Sequence, residues 1–226
     1  FLKDTPVFPL IGFLLLLIGV LELMRPGIIS PFWAGNAVKF AIPLAMLAAC
    51  QVLTMLTGGI DLSVGAVFGL TGIILAQALQ VFPIPLAIPV AILAGAAIGL
   101  FSGVLVAVFG LAPFVVTLGV MAICRSLAFI ASGQRSISGL PPDLDAIVYS
   151  TFAGIPANVL FLIALYLCAW AYLTYTKGGR TIYAIGSNHE AARAAGLSTT
   201  FYSILPYVVS GALSAVAVTF SLAQVM

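Results

Sequence analysis

Charge is what this sequence has least of. Lys, Arg, Asp and Glu together make up 6% of its 226 residues, against about 25% in a soluble domain. Between Lys39 and Arg125 the one charged residue is Asp61, and residues 62–124 hold none. With 63% hydrophobic residues and a mean hydropathy of +1.26, a soluble fold is excluded, because a chain this short cannot hide that much apolar surface. Histidine occurs once, as His189 beside Glu190. Neither a metal site nor a Ser–His catalytic pair is therefore expected, and His189 reads as a surface or partner contact. The three cysteines, Cys50, Cys124 and Cys168, are far apart in apolar runs and read as small buried hydrophobes, with no disulfide framework. No Gly-x-x-x-x-Gly-Lys-Ser/Thr phosphate loop is present, so ATP hydrolysis is not expected of this chain. A net charge of +2 is too small to suggest nucleic acid. The sequence starts at Phe1 without a methionine and stops at Met226 inside an apolar run, which reads as a piece of a longer protein.

What is present is a series of apolar segments of membrane-spanning length. A spanning helix needs about 20 such residues, and seven stretches qualify: 7–24, 37–56, 62–79, 86–108, 113–131, 159–175 and 201–225. The fold class expected is an all-α polytopic membrane protein, with 1–226 forming one transmembrane domain in contact with lipid. Arg25-Pro26-Gly27, Pro83-Ile84-Pro85 and Gly110-Leu111-Ala112-Pro113 punctuate the series. The fourth segment is dense in small residues, and Gly95 and Gly99 form a small-xxx-small pair that lets helix backbones approach closely.

Two longer polar loops set the orientation. Residues 133–157 carry Arg135, Asp143 and Asp145, while 177–199 carry Lys177, Arg180 and Arg193 against Glu190. Positive-inside bias puts the second loop in the cytoplasm. Seven spans then place Lys3 inside and Met226 outside. The 177–199 loop holds a short helix: Ser187 or Asn188 caps it, Glu190 complements its dipole, the alanines favour it and Gly196 ends it. Two turns are marginal alone in water. Such a helix either docks in a partner's groove, where Ala191, Ala192 and Ala195 would offer a small face, or links two spans while packed on its own protein.

Thr57-Gly58-Gly59-Ile60-Asp61-Leu62-Ser63-Val64-Gly65 is the most informative stretch. A carboxylate at the centre of a membrane helix costs roughly 2.5–3.5 kcal/mol on insertion scales, and irregular backbone at that depth needs protein or a cavity around it. Gly58 and Gly59 can end one helix, and Asp61 can cap the next through the amide of Ser63 or Val64. Direct contact of Asp61 with a polar solute in a water-filled path is the other reading. Arg125, inside the fifth span, either snorkels to an interface or pairs with a carboxylate.

The same nine residues resemble the signature of ribose-type sugar permeases of bacterial ABC importers, within the branched-chain amino acid/ribose permease superfamily. The run Gly179-Arg180-Thr181-Ile182-Tyr183-Ala184-Ile185-Gly186-Ser187-Asn188, followed by Glu190-Ala191-Ala192 and Gly196, is similar to that family's ATPase-coupling loop. Phe114-Val115-Val116-Thr117-Leu118-Gly119-Val120-Met121 followed by Arg125 agrees in type and order. The Ile-Asp-Leu-Ser pattern points to sugars rather than branched-chain amino acids. The resemblance implies a permease subunit of roughly ten helices in two inverted pseudo-symmetric halves, incomplete here at its C-terminal end, in the bacterial inner membrane. Its implied partners are cytoplasmic ATPase subunits, a second permease subunit (the same or different) and a periplasmic or lipid-anchored sugar-binding protein, with no cofactor. It implies Gly58, Gly59, Asp61, Ser63, Gly65 and Arg125 at the path or helix break, and Gly186, Asn188, Glu190, Ala191, Ala192 and Gly196 at the ATPase contact. An ion-coupled secondary transporter is the alternative. Such carriers also use broken helices but need several intramembrane ionisable groups, and here only Asp61 and Arg125 are candidates.

The seven-span parity is tested with cysteines placed at Ser138 and Ser187 in a background lacking the native three. An impermeant thiol reagent is expected to label Ser187→Cys from the cytoplasmic side and Ser138→Cys from the opposite side.

Overall fold

A computed structural model describes residues 7–141, 143–152 and 155–224, with the backbone alone at Ile147. Phe1, Lys3, Val225 and Met226, used in the argument above, lie outside these residues. The elements in order are α1 (Val7–Met24), α2 (Pro31–Met55), α3 (Val64–Val81), α4 (Ile84–Ala107), α5 (Pro113–Ser132), α6 (Asp143–Val148), β1 (Thr151–Phe152), β2 (Ile155–Pro156), α7 (Ala157–Tyr175), α8 (Lys177–Ser187), α9 (His189–Ala194) and α10 (Thr199–Leu222). Among the described residues, seven helices (α1 to α5, α7 and α10) are long and apolar enough to cross a membrane. The expected all-α polytopic class is thus observed. The packing falls into two units, Phe1–Phe40 and Ala41–Met226.

In the first unit α1 has no buried residue and exposes Phe8, Leu15 and Leu16 among others, the pattern of a helix apolar on every side. Its Glu22 closes the turn that follows: the amides of Gly27 and Ile29 donate to the carboxylate at 2.6 and 3.1 Å. Ser30 Oγ accepts from the Trp33 amide at 3.2 Å, capping the start of α2.

The second unit is organised around α10, which lies against α4 and α3. Hydrocarbon on both sides of an interface provides no hydrophobic drive, so membrane helices gain from close backbone approach at small residues. That device joins α4 to α10. A Cβ at Gly95 would strike the Gly211 carbonyl oxygen, one at Gly99 the Tyr207 carbonyl oxygen, and one at Gly103 the backbone of Ile204. Three apolar clusters complete the packing. Ala66, Val67 and Leu70 of α3 meet Val116, Val120 and Cys124 of α5. Ile42 and Met46 of α2 meet Ala217 of α10 with Leu162 and Leu165 of α7 alongside. Leu75 and Leu79 meet Ala87, Leu144 and Val148.

Two corrections concern the loops. Residues 133–157 contain α6 and a two-residue antiparallel ladder, Thr151 opposite Pro156 and Phe152 opposite Ile155. Residues 177–199 contain two helices rather than one. Thr176 Oγ1 accepts from the Gly179 amide at 3.0 Å and starts α8, so Gly178-Gly179 lies inside a helix. Its glycines are steric: a Cβ at either would strike Tyr172 or Leu173 of α7. Cys50 and Cys124 are buried as expected, but Cys168 is exposed on an α7 that faces largely outwards.

Within the second unit the loops fall at two ends of the spans. Gln77 Nε2 donates to the Ala131 carbonyl at 2.6 Å and Gln80 Nε2 to the Ser138 carbonyl at 3.2 Å. Tyr149 Oη donates to the Phe220 carbonyl at 3.2 Å, and burial pushes that phenol above its ordinary range. The 133–157 segment thus sits on the C-terminal ends of α3, α5 and α10, whereas α8 and α9 lie at the opposite end.

Glycine approach predicts a clear contrast. Gly99→Ala is expected to lower the melting temperature in detergent by several degrees, because backbone atoms of α10 must move. Gly119→Ala, with nothing within 4 Å of the added carbon, is expected to be neutral or stabilising, since alanine outdoes glycine in a helix by about 1 kcal/mol.

Candidate functional site

The break between α2 and α3 is built from glycine and one carboxylate. The chain leaves α2 through Gly58 at φ +78°, a left-handed conformation that favours glycine. The amides of Gly58 and Gly59 donate to the carbonyls of Met55 and Thr54 at 3.0 and 3.1 Å. Gly58 is exposed and Gly59 buried. At Gly59 a Cβ would press on the Tyr207 hydroxyl, so a side chain here would displace that ring. Gly65 is exposed, with open space around it, and takes no part in the cluster.

Asp61 is 6% exposed and fully engaged. Its Oδ1 accepts from the Ser63 amide at 2.9 Å and from Ser63 Oγ at 2.6 Å, and its Oδ2 accepts from Ser210 Oγ of α10 at 3.2 Å. The expected bond to the Ser63 amide is present as an Asx turn, while the N-cap position of α3 falls to Ser63, with no side-chain cap bond of its own. The bond to Ser210, 149 residues away, ties the break to the central helix. Buried hydroxyls extend the cluster. Ser214 Oγ donates to the Ser210 carbonyl at 2.8 Å, Thr117 Oγ1 of α5 to the Ile60 carbonyl at 3.2 Å, and Cys50 Sγ approaches the Ser210 carbonyl at 3.6 Å. Arg125 is exposed on α5, away from the buried face formed by Val116, Thr117, Val120 and Cys124, and the structure does not bring it to Asp61.

Below the break a cleft of about 400 Å³ opens between Gly59, the α4–α5 connection at Gly110 and Leu111, Ser203 and Tyr207 of α10, and His189 and Arg193 of α9. It lies at the α8–α9 end of the bundle.

The segment implied for coupling adjoins this cleft. Gly186 abuts the end of α2, where a Cβ would strike the Leu56 carbonyl oxygen. Asn188 Oδ1 accepts from the Ala191 amide at 3.0 Å and caps α9, settling the cap on Asn188. Gly196 at φ +76° closes α9, and the amides of Gly196 and Leu197 donate to the carbonyls of Arg193 and Ala192 at 3.0 and 3.2 Å. The helix has two faces. Ala192 is its one buried residue; His189 and Arg193 border the cleft but are exposed, as are Glu190, Ala191 and Ala194. The small face expected from Ala191, Ala192 and Ala195 is therefore corrected, because Ala192 packs inward and is withheld from any partner.

Sequence reasoning missed Tyr207, Ser210 and Ser214, polar groups inside a long apolar run. The signal available was spacing. Ser203, Tyr207, Ser210 and Ser214 recur at steps of four, three and four, one stripe of a helix.

Residues 34–225 match the family described as branched-chain amino acid transport system / permease component. The probable ABC transporter permease protein y4mJ of Sinorhizobium fredii is 38% identical over 180 residues, 79% of this chain and 54% of that protein. The D-allose transport system permease protein AlsC of Escherichia coli is 34% identical over 176 residues, 77% of this chain and 54% of that protein. The ribose import permease protein RbsC of Haemophilus influenzae is 33% identical over 209 residues, 90% of this chain and 65% of that protein. The chain thus spans between about half and two thirds of the length of these curated relatives. No solved structure matches it.

Asp61→Ala leaves the hydroxyls of Ser63 and Ser210, 2% and 0% exposed, without their acceptor. Hydrogen bonds to charged groups contribute about 1.5–3 kcal/mol each, so the variant is expected to lose stability of that order or more. Asp61→Asn retains an acceptor and is expected to lose less. A double-mutant cycle of Asp61→Ala with Ser210→Ala, followed by thermal denaturation in detergent, is expected to be non-additive; strict additivity would remove the tie.

Proposed function

The chain belongs to the branched-chain amino acid transport system permease family, a multi-pass protein of the bacterial inner membrane, and on that footing we propose that it is the membrane-spanning subunit of an ABC importer that moves a small sugar into the cell. The observation that carries this reading is the placement of α9. It lies at the same end of the bundle as the glycine break, presents Glu190, Ala191 and Ala194 to solvent, and directly follows α8, whose Gly186 abuts the Leu56 carbonyl. A short helix with a small outward face suits a groove on an ATPase subunit. Movement of that helix reaches the α2–α3 break through α8, whose backbone at Gly186 abuts that of Leu56. The printed names of relatives, which include ribose, allose, fructose and galactofuranose permeases, support a monosaccharide or related compound as cargo. They also favour ATP-driven import over ion coupling, as does the scarcity of intramembrane ionisable groups.

Within this reading Gly186, Asn188, Glu190, Ala191 and Gly196 form and present the ATPase-coupling helix, with Ala192 anchoring it from behind. Gly58, Gly59, Asp61 and Ser63 form a positioned break. Because Asp61 is engaged by Ser63 and Ser210, it acts as a clamp that holds α3 to α10 rather than as a ligand for sugar hydroxyls. Hydrolysis belongs to separate ATPase subunits, and a second permease subunit and an external sugar-binding protein complete the importer.

Reconstitution of the permease in proteoliposomes with its ATPase and binding protein is expected to give monosaccharide uptake that requires ATP. Glu190→Lys and Ala191→Trp, both on the outward face, are expected to leave the permease folded while the ATPase fails to co-purify. Truncating one half of a desolvated charge pair costs about 2–5 kcal/mol, enough to abolish recovery. Uptake driven by an ion gradient without ATP would overturn the assignment.

A further inference from the structure

We propose that the outward face of α5 around Arg125 borders a water-filled passage, and that the guanidinium binds hydroxyls of the solute that passes there. The first observation is depth. Gln77 and Gln80, which donate to the Ala131 and Ser138 carbonyls, mark the polar belt at the C-terminal end of α5. Arg125 stands six residues before Ala131, about 9 Å further in at roughly 1.5 Å per residue. Helical side chains lean towards the N-terminus, so this one leans away from the nearer belt. Snorkelling serves arginines near helix ends and does not account for Arg125.

The second observation is isolation. Arg125 is exposed, and among the described residues its guanidinium has no hydrogen bond and no ion pair. No described carboxylate is spare to meet it. Asp61 is held by Ser63 and Ser210, and Glu22 by the amides of Gly27 and Ile29. Asp143, Asp145 and Glu190 lie on the short helices α6 and α9, outside the spans. A second copy laid on this face would bring another arginine and no free acid, setting like charges in a low dielectric. With the bundle interior and pairing both ruled out, what remains for a charge at this depth is a water-filled cavity.

The neighbouring positions suit a passage. Gly119, Ala122, Ser126 and Phe129 recur at steps of three, four and three, one exposed stripe beside Arg125. A Cβ at Gly119 would meet nothing within 4 Å, and Ser126 Oγ donates to the Ala122 carbonyl at 3.0 Å. Phe129, one turn beyond Arg125, is 62% exposed. A guanidinium fork presents parallel donors that fit two adjacent hydroxyl oxygens, and the ring offers an apolar surface to a carbon skeleton. A polyhydroxylated solute fits both groups, an assignment that deepens the importer reading and rests on it.

The test separates the passage from its cargo. Cysteines are placed singly at Ala122, Ser126 and Leu167 in a background lacking the native three. A charged, impermeant methanethiosulfonate is then applied to right-side-out and inside-out vesicles. Ala122→Cys and Ser126→Cys are expected to react at least tenfold faster than Leu167→Cys, which is exposed on an uncharged stretch of α7. Both are expected to keep that rate when Arg125→Leu is added, since a passage stays wet without the arginine. Uptake is followed in proteoliposomes with ATPase and binding protein, using whichever of D-ribose, D-allose and D-fructose the unaltered permease carries. There Arg125→Leu is expected to cut ATP-driven uptake at least tenfold while the ATPase still co-purifies. Slow labelling at both positions would mean that lipid or a dry partner covers the face. Labelling lost with Arg125→Leu would mean that the arginine draws water into lipid. Either result overturns the proposal, as does unchanged uptake with Arg125→Leu. An unaltered permease that carries none of these sugars counts against the importer reading instead, and the labelling rates then decide the passage on their own.

Discussion

A carboxylate taken out of water has to be satisfied, and the architecture around Asp61 follows from that requirement. Three donors converge on it: the amide and hydroxyl of Ser63, which its own turn provides, and the hydroxyl of Ser210, which only the central helix can provide. The pair of bonds to Ser63 shapes the entry into α3. The bond to Ser210 sets where α10 stands relative to that entry. From α10 the constraint passes to α4, because Gly95, Gly99 and Gly211 hold the two backbones in contact. In hydrocarbon, apolar surface gives neighbouring helices no preference for each other over lipid, so polar ties and small-residue contacts decide which helices stay together.

The same tie makes the α8–α9 end mechanically connected. Gly186 rests on the last carbonyl-bearing turn of α2, and Gly59 rests on the Tyr207 phenol. Helix α8, the glycine break and α10 therefore meet through backbone and one aromatic ring. The two-faced character of α9 fits this position. Its inner side belongs to the cleft and the bundle, and its outer side is free to meet another subunit.

The glycines of this protein act in two distinct ways. Gly58, Gly133 and Gly196 occupy left-handed conformations at helix ends, where conformational freedom is the reason for the residue. Gly95, Gly99, Gly178, Gly179 and Gly186 sit in regular helix, where a side chain would collide with a neighbouring backbone or ring. Glycines of the second kind leave no helix signal in the sequence, and α8, with Gly178 and Gly179 in its first turn, was not expected.

Span number, approximate span boundaries, the break at 57–65 and a cap at Ser187 or Asn188 were legible in the sequence, because each depends on local chemistry: the length of an apolar run, a helix-terminating glycine, or a side chain that reaches an amide two or three residues away; the structure chose Asn188. The Gly95–Gly99 pair was legible as a packing surface for the same reason. Which helix it meets was not, nor was the partner of Asp61 across 149 residues. The inward turn of Ala192 and the exposure of Arg125 were equally hidden. In a membrane the lipid-facing and core-facing sides of a helix are alike in hydrophobicity, so the periodicity that orients a helix in water is faint. Sequence by itself determined the class of this protein and the position of its break. The tertiary structure decided what the break is tied to, because long-range pairing of buried polar groups is set by how the helices stand in space.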